Sequence, residues 1–190
     1  MDKETITAVA LGIGLSASCG FRVFIPMLVA AIAARAGVLP LTEGFQWLSS
    51  WPAIICFGSA TLIEVAAYYV PFIDNLLDTV TTPLAIGAGT LLLTSVLPVD
   101  NDMLKWITGF IVGGGAAATI QGGSVLTRLA SSKLTAGAGN PVVATGEHVA
   151  AIGSSVLTLA TPLIVAAIIV VLVIFILYRF RNTLFRKHAA

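Results

Sequence analysis

The sequence predicts an all-α integral membrane protein with about five to six membrane segments, built as two related halves that contain bent or interrupted helices. Composition is the first reason: of 190 residues, 57 % are hydrophobic and 10 % are charged, and the mean hydropathy is +1.00. Soluble domains carry about a quarter charged residues. We therefore expect residues 1–190 to form a single membrane domain with the lipid bilayer as its surroundings and no nucleic-acid partner.

The lengths of the apolar stretches are the second reason. Residues 6–36 and 103–133 would each extend about 46 Å as a straight helix, and residues 148–180 about 50 Å, against a hydrocarbon core of about 30 Å. None of the three fits one straight span. The first is expected to break around Gly12 to Gly20, and the third is expected to bend at Pro162.

An internal similarity is the third reason. Residues 6–40 and 107–141 both read as a span, a small-residue break, an arginine, and a glycine followed shortly by a proline. Identical residues coincide at several positions, among them Gly12 with Gly113, Gly14 with Gly115, and Pro40 with Pro141. This order predicts an internal repeat of residues 6–98 and 103–180. Interrupted helices at matching places of two halves are typical of transporters with inverted repeats.

The segments between these stretches are predicted from hydropathy and from the positions of Gly, Asn and Pro. A span is predicted from Trp51 to Val70 with Glu64 inside it, then a short amphipathic turn of helix over residues 72–79, and another span from Val80 to Leu97. Residues 135–147 read as a loop rich in Gly, Asn and Pro. Four cations follow the last span, namely Arg179, Arg181, Arg186 and Lys187. By the positive-inside rule they place the C-terminus in the cytoplasm.

Three short motifs resemble a known family. They are Gly20-Phe21-Arg22-Val23-Phe24-Ile25-Pro26, then Glu64, Asp74 and Asp78 followed by Thr82-Pro83-Leu84, and Gly139-Asn140-Pro141 followed by Glu147. In this order they resemble the bacterial membrane family called domain of unknown function family 4126. The resemblance implies a multi-spanning helical protein of the bacterial inner membrane, and it implies no activity. A basic residue often follows the Thr-Pro-Leu block in that family, whereas Ala85 stands there in this chain.

Two charged residues stand well inside apolar stretches, Arg22 and Glu64. A charge at mid-bilayer costs roughly 2.5–3.5 kcal/mol on insertion scales, and such residues usually pair or line a cavity. We expect these two to share a polar core, directly or through water. They would form either a substrate or proton site or a structural lock between helices. Arg128 with Glu147 would be the matching pair in the second half.

Asp74 and Asp78 are spaced i, i+4, so on a helix they share a face and repel each other. A shared cation or a nearby arginine would relieve the repulsion. With Asn75 or Asn140 they offer oxygen ligands that suit Na⁺, Ca²⁺ or Mg²⁺. The alternative is that both acids cap helix starts. The sequence therefore predicts a candidate cation site here without fixing the metal.

Catalytic signals are weak. The chain has two histidines, and it shows neither a nucleophile with a nearby base nor a recognisable metal-ligand set. The glycine clusters lack the strand and the Gly-Lys-Ser/Thr that a nucleotide-binding loop requires. We therefore expect no enzymatic activity and no cofactor, and we interpret the glycines as positions of close helix packing, on which a homo-oligomer through small-residue helix faces could also form.

Two function classes remain open. The first is a small transporter or channel for an ion or small polar solute, with a site lined by Arg22, Glu64, Arg128, Asn140 and Glu147. The second is a non-transporting membrane scaffold or lipid-binding protein whose buried ion pairs only hold helices together. A cavity that reaches the buried charges would favour the first, and a dry, fully paired cluster would favour the second.

Overall fold

The computed structural model describes the backbone of residues 3–70 and 73–186, and every regular element within these ranges is a helix. The side chains of residues 74, 75 and 179–186 lie outside the description. The α-helices are Lys3–Ser18 (α1), Phe24–Arg35 (α2), Trp51–Ala67 (α3), Ile73–Val96 (α4), Asp102–Thr108 (α5), Gly115–Thr135 (α6), Asn140–Ala160 (α7) and Pro162–Arg186 (α8). A 3-10 turn at Gln46–Ser49 precedes α3, and a π-helical segment at Gly109–Gly114 joins α5 to α6.

Several of these helices are long and apolar enough to cross a bilayer. Among the described residues, three qualify by length and composition: Leu76–Val96, Asp102–Thr135 and Asn140–Ala160. Three shorter apolar helices accompany them, Phe24–Arg35, Trp51–Ala67 and Pro162–Tyr178. The predicted all-helical membrane fold is confirmed.

Helices α1 and α2 form a hairpin that reverses direction inside the bundle. Helix α1 runs antiparallel to α7: Gly14 packs against Thr158, Ser18 Oγ lies 2.7 Å from Ser154 Oγ, and the following turn contacts Ala144. Helix α2 runs antiparallel to α3, because its first residues contact Glu64 while Arg35 donates to the Ser49 carbonyl at 3.2 Å. The predicted break therefore exists, at residues 19–23, and it turns the chain back instead of kinking one span.

This hairpin gives the bundle two distinct ends. At the first end lie the start of α1, the end of α2, the end of α4 and the start of α5. Thr42, which follows α2, connects α4 and α5 there, because it donates its N–H to Ser95 O at 2.8 Å and accepts from Lys105 Nζ at 2.6 Å. The tryptophans at this end, Trp47, Trp51 and Trp106, are exposed, as suits a headgroup belt. At the second end lie the end of α3, the start of α4, the end of α6 and the start of α7.

Glycines bring α4 and the π-helical segment into backbone contact. A Cβ placed on Gly113 would meet the carbonyl oxygen of Gly89 and, at 2.8 Å, the Cβ of Leu93. A Cβ on Gly89 would lie 2.7 Å from the Gly113 oxygen. Small residues allow membrane helices this approach.

Residues 102–135 form one helical stretch that continues in one direction, whereas the chain reverses direction within residues 3–35. The internal repeat of residues 6–98 and 103–180 stays a prediction.

Several predicted boundaries require correction. The loop expected over residues 135–147 is only residues 136–139, since α7 begins at Asn140 with Pro141 in its first turn. Proline is tolerated there because the first N–H groups of a helix have no intrahelical partner. The amphipathic turn and the span expected from Val80 are one continuous helix, α4, with Pro83 inside it. The break at Pro162 is confirmed.

Candidate functional site

Four charged residues meet inside the bundle near its second end: Arg22, Asp78, Arg128 and Glu147. We call them the ionic cluster. They come from the α1–α2 turn, α4, α6 and α7, so the cluster connects elements that are distant in sequence. Arg128 lies about two turns before the end of α6 and Glu147 about two turns after the start of α7, which places both roughly 10 Å inside the helix ends.

Glu147 is the centre of the ionic cluster. Its Oε2 accepts from Nη2 of Arg22 at 2.8 Å and from Nη2 of Arg128. Its Oε1 accepts from the hydroxyl of Ser124. Arg128 reaches further and donates Nη1 to Oδ1 of Asp78 at 2.5 Å. The pairing of Arg128 with Glu147 predicted from the sequence is therefore present, with Asp78 as a second carboxylate on the same guanidinium.

Arg22 is sealed from solvent, with 1 % of its surface exposed. Besides Glu147, its guanidinium donates Nε to Nδ1 of His148 at 2.7 Å and Nη1 to the Phe21 carbonyl at 3.0 Å. Nη2 also lies 3.4 Å from the Ala144 carbonyl. A nitrogen that accepts a hydrogen bond carries no proton, so this contact fixes His148 as a neutral imidazole with its hydrogen on Nε2.

Tyr68 connects the two arginines. Its ring centroid lies 3.6 Å from Cζ of Arg22 and 4.4 Å from Cζ of Arg128. Its hydroxyl contacts Oδ1 of Asp78 at 3.2 Å and the Thr81 hydroxyl at 3.1 Å. An aromatic face attracts a desolvated guanidinium by about 2 kcal/mol, so Tyr68 helps to hold two like charges close together.

Glu64 has a different partner from the one predicted. Its Oε1 accepts the N–H of Val23 at 2.9 Å and its Oε2 accepts the N–H of Phe24 at 3.0 Å. These are the first N–H groups of α2, which have no intrahelical acceptor, and the positive end of the helix dipole favours a carboxylate there. The direct Arg22–Glu64 ion pair is not formed, because Glu147 takes that place.

Two pockets reach the carboxylates of the ionic cluster from either side of α6. The α6–α7–α8 pocket, about 500 Å³, has Glu147 and Ser124 on its wall. The α4–α6 pocket, about 670 Å³, has Asp78 on its wall, with Thr79, Thr82, Ser132 and Lys133. Neither pocket is lined by Arg22 or Arg128. Arg128 thus separates the two cavities by binding one carboxylate from each.

The family described as domain of unknown function (DUF4126) has a model that matches residues 9–182. The chain belongs to the DUF4126 family. Among curated proteins and among solved structures, nothing matches the chain. All three motifs that resembled DUF4126 contribute to this region: the first supplies Arg22, the second Glu64 and Asp78, and the third leads into Glu147. The family's description assigns no activity, so function has to be argued from this geometry.

Asn140, a predicted site residue of this DUF4126 protein, does not belong to the ionic cluster. Asn140 is buried at the start of α7, where its side chain exchanges hydrogen bonds with Ser132, donating at 2.9 Å. It belongs to a helix and not to the predicted loop. Asp74 has its side chain outside the described residues. The predicted cation site shared by Asp74 and Asp78 stays a prediction, and within the described residues no group of three His, Cys, Asp or Glu could hold a metal.

Asp78 is not the helix cap that was the alternative, since α4 begins at Ile73 and Asp78 lies inside it. Its counter-ion is Arg128, and a nearby arginine was one of the two partners that the sequence suggested for this acid.

Sequence reasoning missed Tyr68 and Ser124. The spacing of Tyr68 four residues after Glu64 is a usable signal, because residues i and i+4 share one helix face. Ser124 gave no such signal among the many small residues of α6.

Proposed function

We propose that this DUF4126 protein is a small multi-pass transporter or channel of the bacterial inner membrane that moves an ion or small polar solute past the ionic cluster. The observation that supports the proposal best is the pair of pockets on either side of α6. Each ends on a carboxylate, and both carboxylates bind the same guanidinium of Arg128.

The part of the bundle between the ionic cluster and the first end is tightly packed, as the closed half of such a pathway would be. Between the ionic cluster and the first end, the contact of α1 with α4 and α7 combines apolar side chains, such as Leu15 and Leu92, with buried hydroxyl groups and glycines. Ser16 Oγ donates to the Gly89 carbonyl at 2.6 Å, and Ser18 contacts Ser154. These hydroxyl groups would offer hydrogen-bond partners to a polar solute, which lowers the cost of removing it from water. The second end carries the two pockets, so the pathway is wider there.

The proposal includes the remaining expectations from sequence. It assigns no catalytic residue and no cofactor, places the C-terminus in the cytoplasm, and leaves room for a homo-oligomer through small-residue faces. The side chains of Arg179, Arg181 and Arg186 lie outside the described part of the chain, as does Lys187 altogether, so the orientation rests on the positive-inside rule alone.

The test is solute-induced charge movement in proteoliposomes on a solid-supported membrane, with panels of inorganic cations, organic cations, anions and neutral solutes. A solute that gives signals only with protein is the expected result. Ser124→Ala should slow that signal several-fold, because the Ser124 hydroxyl binds Glu147 at the pocket wall. Ser59→Ala is the matched control, since the Ser59 hydroxyl is exposed and bonds only to the Cys56 carbonyl. Absence of protein-dependent signals across all four panels would refute the proposal.

A scaffold or lipid-binding role is the second candidate, and one observation favours it. The arginines of the ionic cluster are almost fully buried and form ion pairs with carboxylates of neighbouring helices, as a lock between helices would. In that case Ser124→Ala would lower the free energy of unfolding by about 1.5–3 kcal/mol, as expected for the loss of one hydrogen bond to a charged group, and no solute would move.

A further inference from the structure

We propose that the α6–α7–α8 pocket binds a protonated organic amine with a small hydrocarbon body. This assignment names the solute class and rests on the proposed transport function for its physiological meaning. Two properties of the pocket lead to it: the sign of the groups that a ligand can reach and the chemistry of the walls.

A ligand in this pocket meets hydrogen-bond acceptors and no guanidinium. Glu147 and Ser124 are on the wall, whereas Arg22 and Arg128 are each 1 % exposed and line neither this pocket nor the α4–α6 pocket. An anion would therefore face the Glu147 carboxylate before any cation. An ammonium group can donate three hydrogen bonds to carboxylate and hydroxyl oxygens.

The walls suit a hydrocarbon and not a bare metal ion. Apart from Ser124, Thr127 and Glu147, every residue of the lining is apolar or glycine, and the large ones are Phe21, Ile120, Val143, Leu172 and Ile176. Metal cations of the Na⁺, Ca²⁺ or Mg²⁺ type require a shell of oxygen ligands, which these side chains do not supply. A volume of about 500 Å³ lies within the range of about 300–1,000 Å³ typical of small-molecule sites. A short alkylammonium therefore fits both the polar base and the apolar walls.

Binding is tested by calorimetry on the full chain in lipid nanodiscs, with empty nanodiscs subtracted to remove partitioning. Three probes share one hydrocarbon and differ in head group: hexylammonium, 1-hexanol and hexanoate. Hexylammonium should bind at least tenfold more tightly than 1-hexanol, and hexanoate should not bind. Equal binding of hexylammonium and 1-hexanol, tighter binding of hexanoate, or displacement of hexylammonium by millimolar Na⁺ alone would overturn the assignment.

Two glycines of α7 give a matched pair of variants. Gly146 lines the pocket, Gly153 does not, and a Cβ at either position meets nothing within 4 Å. Gly146→Leu should fill the pocket and weaken hexylammonium binding at least tenfold, whereas Gly153→Leu should leave it within twofold. Equal effects of both variants would overturn the pocket assignment.

Transport is measured separately, as uptake of labelled butylammonium into proteoliposomes. Hexylammonium binding that depends on Gly146, without any flux of butylammonium or of other solutes, would uphold the amine pocket and overturn the transport function. Flux of a different solute with no amine binding would overturn the amine pocket and uphold transport.

Discussion

Arg22 Nη2 lies 2.8 Å from Glu147 Oε2, so the turn of the α1–α2 hairpin is tied by an ion pair to the first half of α7. Both side chains are buried, and the same carboxylate also binds Arg128. One glutamate therefore neutralises charge on two helical elements that do not adjoin in sequence. The hairpin turn keeps its place inside the bundle because its arginine has this partner.

Glu147→Gln should be the most destabilising single-charge change in the chain. It removes the negative charge that pairs with two buried arginines, and breaking a buried pair typically costs about 3–5 kcal/mol. The measurement is reversible unfolding in mixed detergent micelles, followed by tryptophan fluorescence. Glu43→Gln, in an exposed loop, is the control and should change the free energy of unfolding by less than about 0.5 kcal/mol. Similar values for the two variants would contradict the central role of Glu147.

Glu64 should protect the backbone amides of Val23 and Phe24 from hydrogen exchange. Its carboxylate accepts the N–H groups of Val23 and Phe24, so Glu64→Ala should accelerate hydrogen exchange at both amides while exchange in the middle of α4 stays unchanged. Stability should fall by about 1.5–3 kcal/mol, the range for hydrogen bonds to a charged group. Glu64→Gln retains one acceptor oxygen and should fall between wild type and Glu64→Ala. Unchanged exchange at Val23 and Phe24 would show that α2 begins without this cap.

Two glycines close in sequence should respond oppositely to alanine. Gly113→Ala places a Cβ against the Gly89 carbonyl, and overpacking of this kind costs about 1–3 kcal/mol. Gly115→Ala meets nothing within 4 Å and should be neutral or stabilising, since alanine is favoured over glycine in helices by about 0.5–1 kcal/mol. Unfolding of both variants under identical conditions checks the difference. Equal stabilities would mean that α4 and the π-helical segment do not touch through these glycines.

The hairpin predicts which segments share a membrane side. Single cysteines at Glu4, Glu43 and Asp100, all exposed near the first end, should react with an impermeant maleimide from one side of the membrane. A cysteine at Ala138, between α6 and α7, should react only from the other. The natural Cys19 and Cys56 are first replaced by alanine and serine. Labelling of positions 4 and 43 from opposite sides would mean that residues 6–36 cross the membrane once.

The polar core was only partly predictable from sequence. Length and hydropathy reveal that Arg22 and Glu64 lie deep, because a straight helix converts residue number into depth. They do not reveal which helices become neighbours, since that depends on packing among all of them. The sequence therefore predicts that Glu64 shares a polar core with Arg22, directly or through water, whereas in the structure Glu64 binds the start of α2 and Glu147 of α7 pairs with Arg22.

The misplaced loop at residues 135–147 has a related cause. Gly, Asn and Pro mark turns in isolation, yet here Gly139, Asn140 and Pro141 occupy the start of a helix, where proline fits and a turn residue can precede it. The four-residue connection that results puts Glu147 inside α7, facing Arg22 and Arg128. A prediction that gives turn residues more weight than apolar periodicity therefore misses the first two turns of α7. The break at Pro162 was predictable because the same rule applied there without competing signals.

The long sequence separation between Arg22 and Glu147 has a consequence for biosynthesis. Glu64 emerges from the ribosome soon after α2 and can cap it, so the first three helices can associate early. Arg22 then has the Tyr68 ring but no carboxylate of its own until α7 has been translated, by which time most of the protein is already in the translocon or the lipid. The hairpin turn must therefore settle late, and a nascent chain that stops before α7 carries an arginine that the membrane cannot accommodate cheaply.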